Sequence, residues 1–224
     1  MITDYHTHVL PGIDDGSKDA ETSLEMLIQL KEQGIERVIA TPHFYAHREK
    51  SVEDFIEKRR KAYDSIKNNL SLPVILGAEV AIEHGISEIK DIDKLAIEGT
   101  RLILLELPYR GYKEWMSEEI YNISSEYGLK VVLAHIHRYT DYYSDEQMNE
   151  ILKTDAVFQI NNEAFDSHSS KSFVKNLLKR EVPIVFGSDA HNLTDRKPNW
   201  KIMKKKRNMS IIEESAMILD KYKV

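Results

Sequence analysis

The chain has 224 residues, 42% hydrophobic and 30% charged, with a formal charge of −6 from 31 Lys+Arg and 37 Asp+Glu. That is enough chain for one sizeable core and reads as a single globular domain over residues 1–224, with no case for general nucleic-acid binding. Cysteine is absent, which excludes a disulfide framework, a thiolate-ligated metal and a cysteine nucleophile.

The N-terminus, Met1-Ile2-Thr3-Asp4-Tyr5-His6, has neither a basic nor an apolar leader region, and no segment approaches a membrane span. We therefore expect a cytoplasmic protein without membrane insertion. No glycine pair has G-x-G or P-loop spacing, and G-x-S-x-G is missing. Seven apolar runs read as strands: Ile2–His6, Arg37–Thr41, Pro73–Glu79, Arg101–Glu106, Lys130–His135, Val157–Asn161 and Pro183–Ser188. Helical patterns lie between them at Asp19–Gln33, Val52–Asn69, Lys113–Tyr127, Asp145–Lys153, Ser170–Arg180 and Ser210–Tyr222, with short helix and loop over Val80–Gly99. The basic run Lys204–Arg207 reads as a solvated helix end.

Alternating β and α units predict a parallel sheet covered by helices. How the strands end favours a barrel over an open sheet. Almost every apolar run closes on a polar or metal-capable side chain, and a barrel brings all those ends to one face. The expected fold is α/β, a seven-stranded (β/α) barrel.

His6-Thr7-His8 lies at the end of an extended run, where residues two apart point the same way at roughly 7 Å and can converge on one ion. Asp189-Ala190-His191 repeats the spacing after Ile184-Val185-Phe186. His43 follows Thr41-Pro42, and Glu79 and Glu106 end runs too apolar for an unpaired carboxylate. With Asp15 and His135 the candidates are His6, His8, Asp15, His43, Glu79, Glu106, His135, Asp189 and His191. Nine ligands exceed what one ion takes, so two or three divalent ions are expected. Imidazole and carboxylate without thiolate suit Mn, Fe or Zn. His47, His84 and His168 read as surface residues, and His137, two residues beyond His135, stays open between a rim position and no part in the site.

Arg138 and Arg196 each follow a candidate ligand, in loops over the same face. Guanidinium groups beside a metal cluster suit phosphoester hydrolysis, the two forks gripping phosphate from different sides of the barrel mouth.

These motifs resemble the PHP (polymerase and histidinol phosphatase) superfamily. Within it they are most similar to the manganese-dependent protein-tyrosine phosphatases of bacterial capsule and exopolysaccharide operons. The residues that carry the likeness run from Asp4 to Ser17 (including Pro11-Gly12-Ile13-Asp14-Asp15-Gly16-Ser17), then Ala40–His43, Gly77–Glu79, Ala134–Tyr139 and Gly187–Leu193. The resemblance implies the PHP fold, a distorted seven-stranded (β/α) TIM-like barrel, with a two- or three-metal Mn site held by the nine residues above, Glu79 bridging, and Arg138 and Arg196 on the phosphate. It implies as substrate the phosphorylated tail of a bacterial tyrosine kinase that controls polysaccharide export. His137 departs from it, standing where members of the branch often carry Glu. Two alternatives stay open at this point: a small-molecule phosphatase acting on a compound such as histidinol phosphate, and a non-catalytic metal-binding subunit.

Overall fold

The computed structural model describes residues 1–203 and 209–224, with the backbone alone at 168 and 169. The expectations for Lys204–Arg207 and for the side chain of His168 lie outside the described residues.

The chain alternates strands and helices in the order β1 (Thr3–Thr7), α1 (Ala20–Glu32), β2 (Arg37–Ala40), β3 (His43–Phe44), α2 (Val52–Ile66), β4 (Val74–Leu76), β5 (Glu79–Ala81), β6 (Leu102–Glu106), α3 (Glu114–Tyr127), β7 (Lys130–Leu133), α4 (Asp145–Leu152), β8 (Val157–Asn161), α5 (His168–Leu177), β9 (Ile184–Gly187) and α6 (Met209–Lys221). Single 3-10 turns fill much of the remainder, among them Ile86–Glu88 and Ile92–Leu95 in the segment expected to be short helix and loop. Helix starts follow their caps: Asp19 accepts from the Thr22 amide, Ser51 from Asp54, and Ser144 with Gln147 closes a capping box.

Nine strands replace the seven expected because one run resumes as a further strand beyond its expected end and another is bent in the middle. Pro42 has no N–H to continue a ladder, so the chain kinks after β2 and resumes as β3. Pro73–Glu79 kinks at Gly77-Ala78 between β4 and β5. The bends change partners. β1, β2 and β4 form one parallel sheet, and β3, β5, β6, β7, β8 and β9 form another. The ladder runs on across the bends through Gly77 N–H to Ala40 O at 2.8 Å and Glu79 N–H to Pro42 O at 3.0 Å. Counted by run, seven parallel strands circle round as a distorted barrel.

The seam lies between β9 and β1. There the continuous ladder gives way to an isolated parallel bridge, Thr7 to Ala190. The Asp189 amide donates to His6 O at 2.8 Å and the His8 amide to Ala190 O at 2.9 Å. Gly187 permits this approach, since a Cβ on it would stand 2.6 Å from His6 Cβ and 2.9 Å from His6 N.

The apolar interior has two parts. One, with Leu27, Phe55, Leu105 and Trp200, packs helices on the outside of the strands. The other, with Leu102, Leu104, Val132, Val157 and Val185, fills the inside of the lower barrel, and Leu219 of α6 plugs its base. Because side chains alternate along a strand, the inner rows climb from apolar to polar: Leu102, Leu104, Glu106 on β6; Val157, Gln159, Asn161 on β8; Val185, Gly187, Asp189 on β9 and just beyond it. The polar ends of these rows meet at the top. Among the described residues, no helix is long and apolar enough to cross a membrane.

Candidate metal centre

Glu79 is the hub of the upper barrel and is 1% exposed. Its Oε2 lies 3.1 Å from His6 Nε2, 3.2 Å from His8 Nε2 and 3.1 Å from His43 Nδ1, and its Oε1 lies 2.9 Å from His135 Nε2. Asp189 Oδ1 sits 3.5 Å from His6 Nε2 and 3.4 Å from His8 Nε2. Ligands bound at about 2.1 Å, at octahedral or tetrahedral angles, stand about 3.0–3.4 Å from each other, so these spacings are those of a coordination shell.

Hydrogen bonds around the cluster assign its tautomers. Gln159 Oε1 accepts from the His135 amide at 2.6 Å while its Nε2 donates to Asn161 Oδ1 at 2.8 Å. His6 Nδ1, 3.1 Å from that same Oε1, is therefore a donor, which leaves the lone pair on Nε2. Asp14 Oδ2 likewise accepts from His8 Nδ1 at 2.7 Å. The His6 and His8 Nε2 atoms then face each other at 3.1 Å beside two carboxylate oxygens. His6, His8 and Asp189 place three acceptors and no donor within coordination reach of one another, which describes a cation site.

The same field draws protons. Burial opposes a charge on His8, but hydrogen bonds to Asp14, Asp189 and Glu79 outweigh it and raise its pKa well above the ordinary value. Burial is likewise outweighed at His135 by Glu106 and Glu79, which lift it to about 9. Glu79 and Asp189 are held well below the carboxylate range: burial works against them, and His6 leads the groups that overcome it. Protons and a divalent cation compete for these positions.

The remaining candidates extend the cluster. His43, Glu79 and Glu106 form a second group within coordination reach, and His8, Asp15, His43 and His191 a third. His135 Nε2 is 3.5 Å from Glu106 Oε1. Asp15 Oδ1 is 3.5 Å from His43 Nε2 and 3.6 Å from His191 Nε2. His191 donates from Nδ1 to Asp189 O at 2.9 Å, so its Nε2 carries the lone pair. Burial and then the nearby His8 push its pKa down to about 3, which keeps it neutral. His43 Nδ1, His191 Nε2 and Asp189 Oδ1 are buried and make no hydrogen bond among the described residues. Such atoms are costly unless a ligand completes them, and the donor set fits divalent metal. His8 and His43 each belong to two groups, and one neutral ring has one lone pair, so each serves a single ion.

The backbone bends to build this. His135 (φ 29°) and Asp189 (φ 51°) are two of four non-glycine residues in the left-handed region among those described, a conformation that costs about 1–3 kcal/mol. At His135 it breaks the alternation of β7 and brings the imidazole onto Glu79. Gly16 lets the Asp14-Asp15 loop fold over His8, where a Cβ would stand 2.4 Å from His8 Cβ.

All nine sequence-predicted ligands thus come together. Both arginines reach the same place and meet on one carboxylate. Arg138 Nη1 and Arg196 Nη2 both lie on Asp189 Oδ2, at 2.8 and 2.9 Å. Only β8 separates the strands their loops follow, and one carboxylate oxygen collects both forks. His137 is buried with Nε2 3.7 Å from Glu163 Oε1 and belongs to none of the three groups. His47 is exposed and bonded to Glu83, and His84 is exposed beside Trp115.

Several residues of the site escaped the sequence reading. Asp14 and Gln159 orient His8 and His6, while Asn161 and Glu163 hold Asp189 and Arg138. Tyr45 and Tyr109 flank a cavity of about 360 Å³ that opens over the cluster between the two arginines. Gln159 could have been found from its alternation with Asn161; the tyrosines carry no comparable signal.

The family profile described as capsular polysaccharide synthesis, CpsB/CapC, matches residues 2–217. The chain belongs to this family. Among curated proteins it is 28% identical to the tyrosine-protein phosphatase YwqE of Bacillus subtilis over 206 residues, covering 87% of this chain and 79% of that one. It is 28% identical to the tyrosine-protein phosphatase CpsB of Streptococcus pneumoniae over 218 residues, covering 88% and 86%. A solved structure from work on YwqE and CpsB, described there as unique metal-dependent tyrosine phosphatases, matches with a TM-score of 0.78 at 23% identity over 99% of this chain and 96% of the other. At that identity the likeness speaks for the fold.

Proposed function

We propose that this CpsB/CapC-family chain is a metal-dependent phosphomonoesterase that hydrolyses phosphotyrosine in proteins. The observation that carries the reading is the convergence of Arg138 and Arg196 on Asp189 at the edge of the imidazole–carboxylate cluster. Two guanidinium forks beside a cation site make a seat for a phosphate dianion. Tyrosine as the phosphate carrier is supported by the names of the relatives and by the aromatic walls Tyr45 and Tyr109.

His6, His8, Asp15, His43, Glu79, Glu106, His135, Asp189 and His191 would hold two or three divalent ions, Mn foremost. When bound, such ions supply Lewis-acid stabilisation of phosphoryl oxygens and activate water. Glu79, which turns one oxygen to His6, His8 and His43 and the other to His135, would be the carboxylate shared between ions. Asp14 and Gln159 hold His8 and His6 in the ligating tautomer. Arg138, as an ion-pair partner, and Arg196, through one N–H, keep Asp189 turned inward and offer their other N–H groups to the non-bridging phosphate oxygens, where charge reorganises in the transition state. A phenol ordinarily loses its proton near a pKa of about 10, so the departing phenolate leaves without a strong acid at its oxygen.

In this reading the enzyme is a single domain over 1–224 in the cytoplasm. It acts on the phosphotyrosine tail of a bacterial tyrosine kinase that governs capsule or exopolysaccharide synthesis. The test is a metal analysis coupled to hydrolysis of a phosphotyrosine peptide and of histidinol phosphate. Chelation should abolish peptide hydrolysis, Mn should restore it best, and thiol reagents should have no effect. Full activity in metal-free protein, or preference for histidinol phosphate, overturns the reading.

A further inference from the structure

A second, larger cavity of about 710 Å³ adjoins the metal centre, within the size range of ligand pockets. The two share the walls Tyr45, Glu106 and Tyr109. A substrate whose phosphate lies on the metal side and whose ring passes between the tyrosines therefore has its next residues over this groove. The floor is apolar, with Ile82, Leu107, Trp115 and Met116. One rim is cationic: Arg110 and Lys113 are exposed, and neither has an ion-pair partner among the described residues. The acids that line the same groove are engaged elsewhere. Glu83 accepts from His47 at 2.7 Å, and Glu106 belongs to the metal centre. Lys113 is also the N-cap of α3 and makes no side-chain cap bond, so the positive end of that helix adds to the rim.

Resting on the phosphatase reading, we infer that this groove is the subsite for residues flanking the phosphotyrosine, taking a large apolar side chain on its floor and an acidic side chain against Arg110 and Lys113. The partner is thus an extended peptide in which phosphotyrosine is followed or preceded closely by an apolar and an acidic residue. Tyr109, 38% exposed, and Tyr45, covered by the Arg48 guanidinium at 4.4 Å, form the passage between the two cavities.

The experiment compares para-nitrophenyl phosphate, which ends before the groove, with two phosphotyrosine peptides. One carries a Leu and a Glu beside the phosphotyrosine, and the other carries Ala at both places. The wild-type protein, loaded with Mn, should favour the first peptide by at least about tenfold in kcat/KM. The double variant Arg110→Ala/Lys113→Ala should lose about tenfold on that peptide, chiefly in KM, which is about 1.4 kcal/mol shared by two exposed contacts. The same variant should keep the wild-type rate on the small ester. Trp115→Ala should erase the preference for Leu, and if that variant fails to fold, the rim variant decides alone. Equal losses on both substrates would mean that these residues serve the metal centre and would overturn the inference. Equal rates on the two peptides would overturn it as well. A wild-type protein that hydrolyses neither the small ester nor the peptides overturns the phosphatase reading, and this inference with it.

Discussion

Replacing Arg138 and Arg196 by alanine, singly and together, distinguishes a guanidinium pair that holds a metal ligand from one that touches only substrate. Asp189 Oδ2 accepts from Arg196 Nη2 at 2.9 Å and Asn161 Nδ2 at 3.0 Å, and forms an ion pair with Arg138 Nη1 at 2.8 Å. Its other oxygen faces His6 and His8. Either single substitution leaves one guanidinium and Asn161 on that oxygen, which keeps the carboxylate turned inward. The double substitution leaves the neutral Asn161 alone, and a carboxylate only 3% exposed loses both countercharges. Groups that orient a metal ligand are typically worth 10–100-fold in metal affinity. The apparent Kd for Mn, from calorimetric titration, should therefore change by less than about threefold in each single variant and by about 10–100-fold in the double. Where the single variants bind Mn like the wild type, that difference is a coupling of about 1.4–2.7 kcal/mol, reduced by whatever each single variant loses. At saturating Mn, each single variant should lose about 10²-fold in kcat/KM on para-nitrophenyl phosphate, about 2.7 kcal/mol, as expected for one donor to the developing charge. A double variant that binds Mn like the wild type, with a rate loss equal to the product of the single losses, would refute the shared role through Asp189.

Three further outcomes are expected. Glu79→Gln keeps the shape of the hub but removes its charge and one of its acceptor oxygens; metal content should fall, and kcat should drop by at least about 10³-fold, about 4 kcal/mol. A variant with full metal and wild-type kcat would reduce Glu79 to an ion-pair partner. Glu119 of α3 accepts from the Gly85 amide, the Ser87 amide and the Ser87 hydroxyl; burial opposes its charge, yet those bonds, led by Ser87, hold its pKa below the usual value. Its stabilising effect is present above the unfolded pKa of about 4.3 and fades as pH falls through the lower folded value. Glu119→Gln should therefore destabilise by about 1–3 kcal/mol at pH 7, with the gap closing in acid; a gap independent of pH in denaturant melts argues against the charge. Gly187→Ala puts a methyl against His6 at the β9–β1 seam and should destabilise by about 1–3 kcal/mol, read as a fall in Tm of about 2–4 °C per kcal/mol. An unchanged Tm would mean that the seam is looser than its geometry.

The site was legible in the sequence to the extent that its residues interrupt a pattern. His6, Glu79, Glu106, His135 and Asp189 stand at or just beyond the ends of apolar runs, where a polar side chain is conspicuous, and the parallel barrel accounts for why such ends meet. Gln159 was hidden because it lies within a strand between Phe158 and Ile160, and only the inner-row alternation through Val157 and Asn161 marks it. The bend at Gly77-Ala78 was hidden because both residues are compatible with an apolar run; what defines it is the change of partner from β2 to β3 and β6. The meeting of Arg138 and Arg196 on one oxygen depends on how two loops cross the top of β8, which no spacing along the chain encodes. Tyr109 belongs to a loop whose place over His135 is set by packing with Tyr139 and Tyr142.

The unfavourable features of the fold are concentrated where the strands end. Two left-handed residues, His135 and Asp189, carry strain of about 1–3 kcal/mol each. Glu79 and Asp189 bring buried carboxylates, and His43, His191 and Asp189 bring buried polar atoms without hydrogen bonds among the described residues. Spread through a core, such features would make separate demands on stability. Here they face one another at 2.9–3.9 Å, so divalent charge placed among them answers several at once. The apolar lower barrel and the α6 plug supply the stability that lets the upper barrel remain so poorly satisfied by its own groups. The polar residues that do find partners, Asp14, Gln159, Asn161 and Glu163, orient His8, His6, Asp189 and Arg138 around those that do not. An arrangement in which the satisfied groups serve the unsatisfied ones is expected of a metal site, and it is hard to reconcile with a cluster of ordinary ion pairs, in which each partner would complete the other.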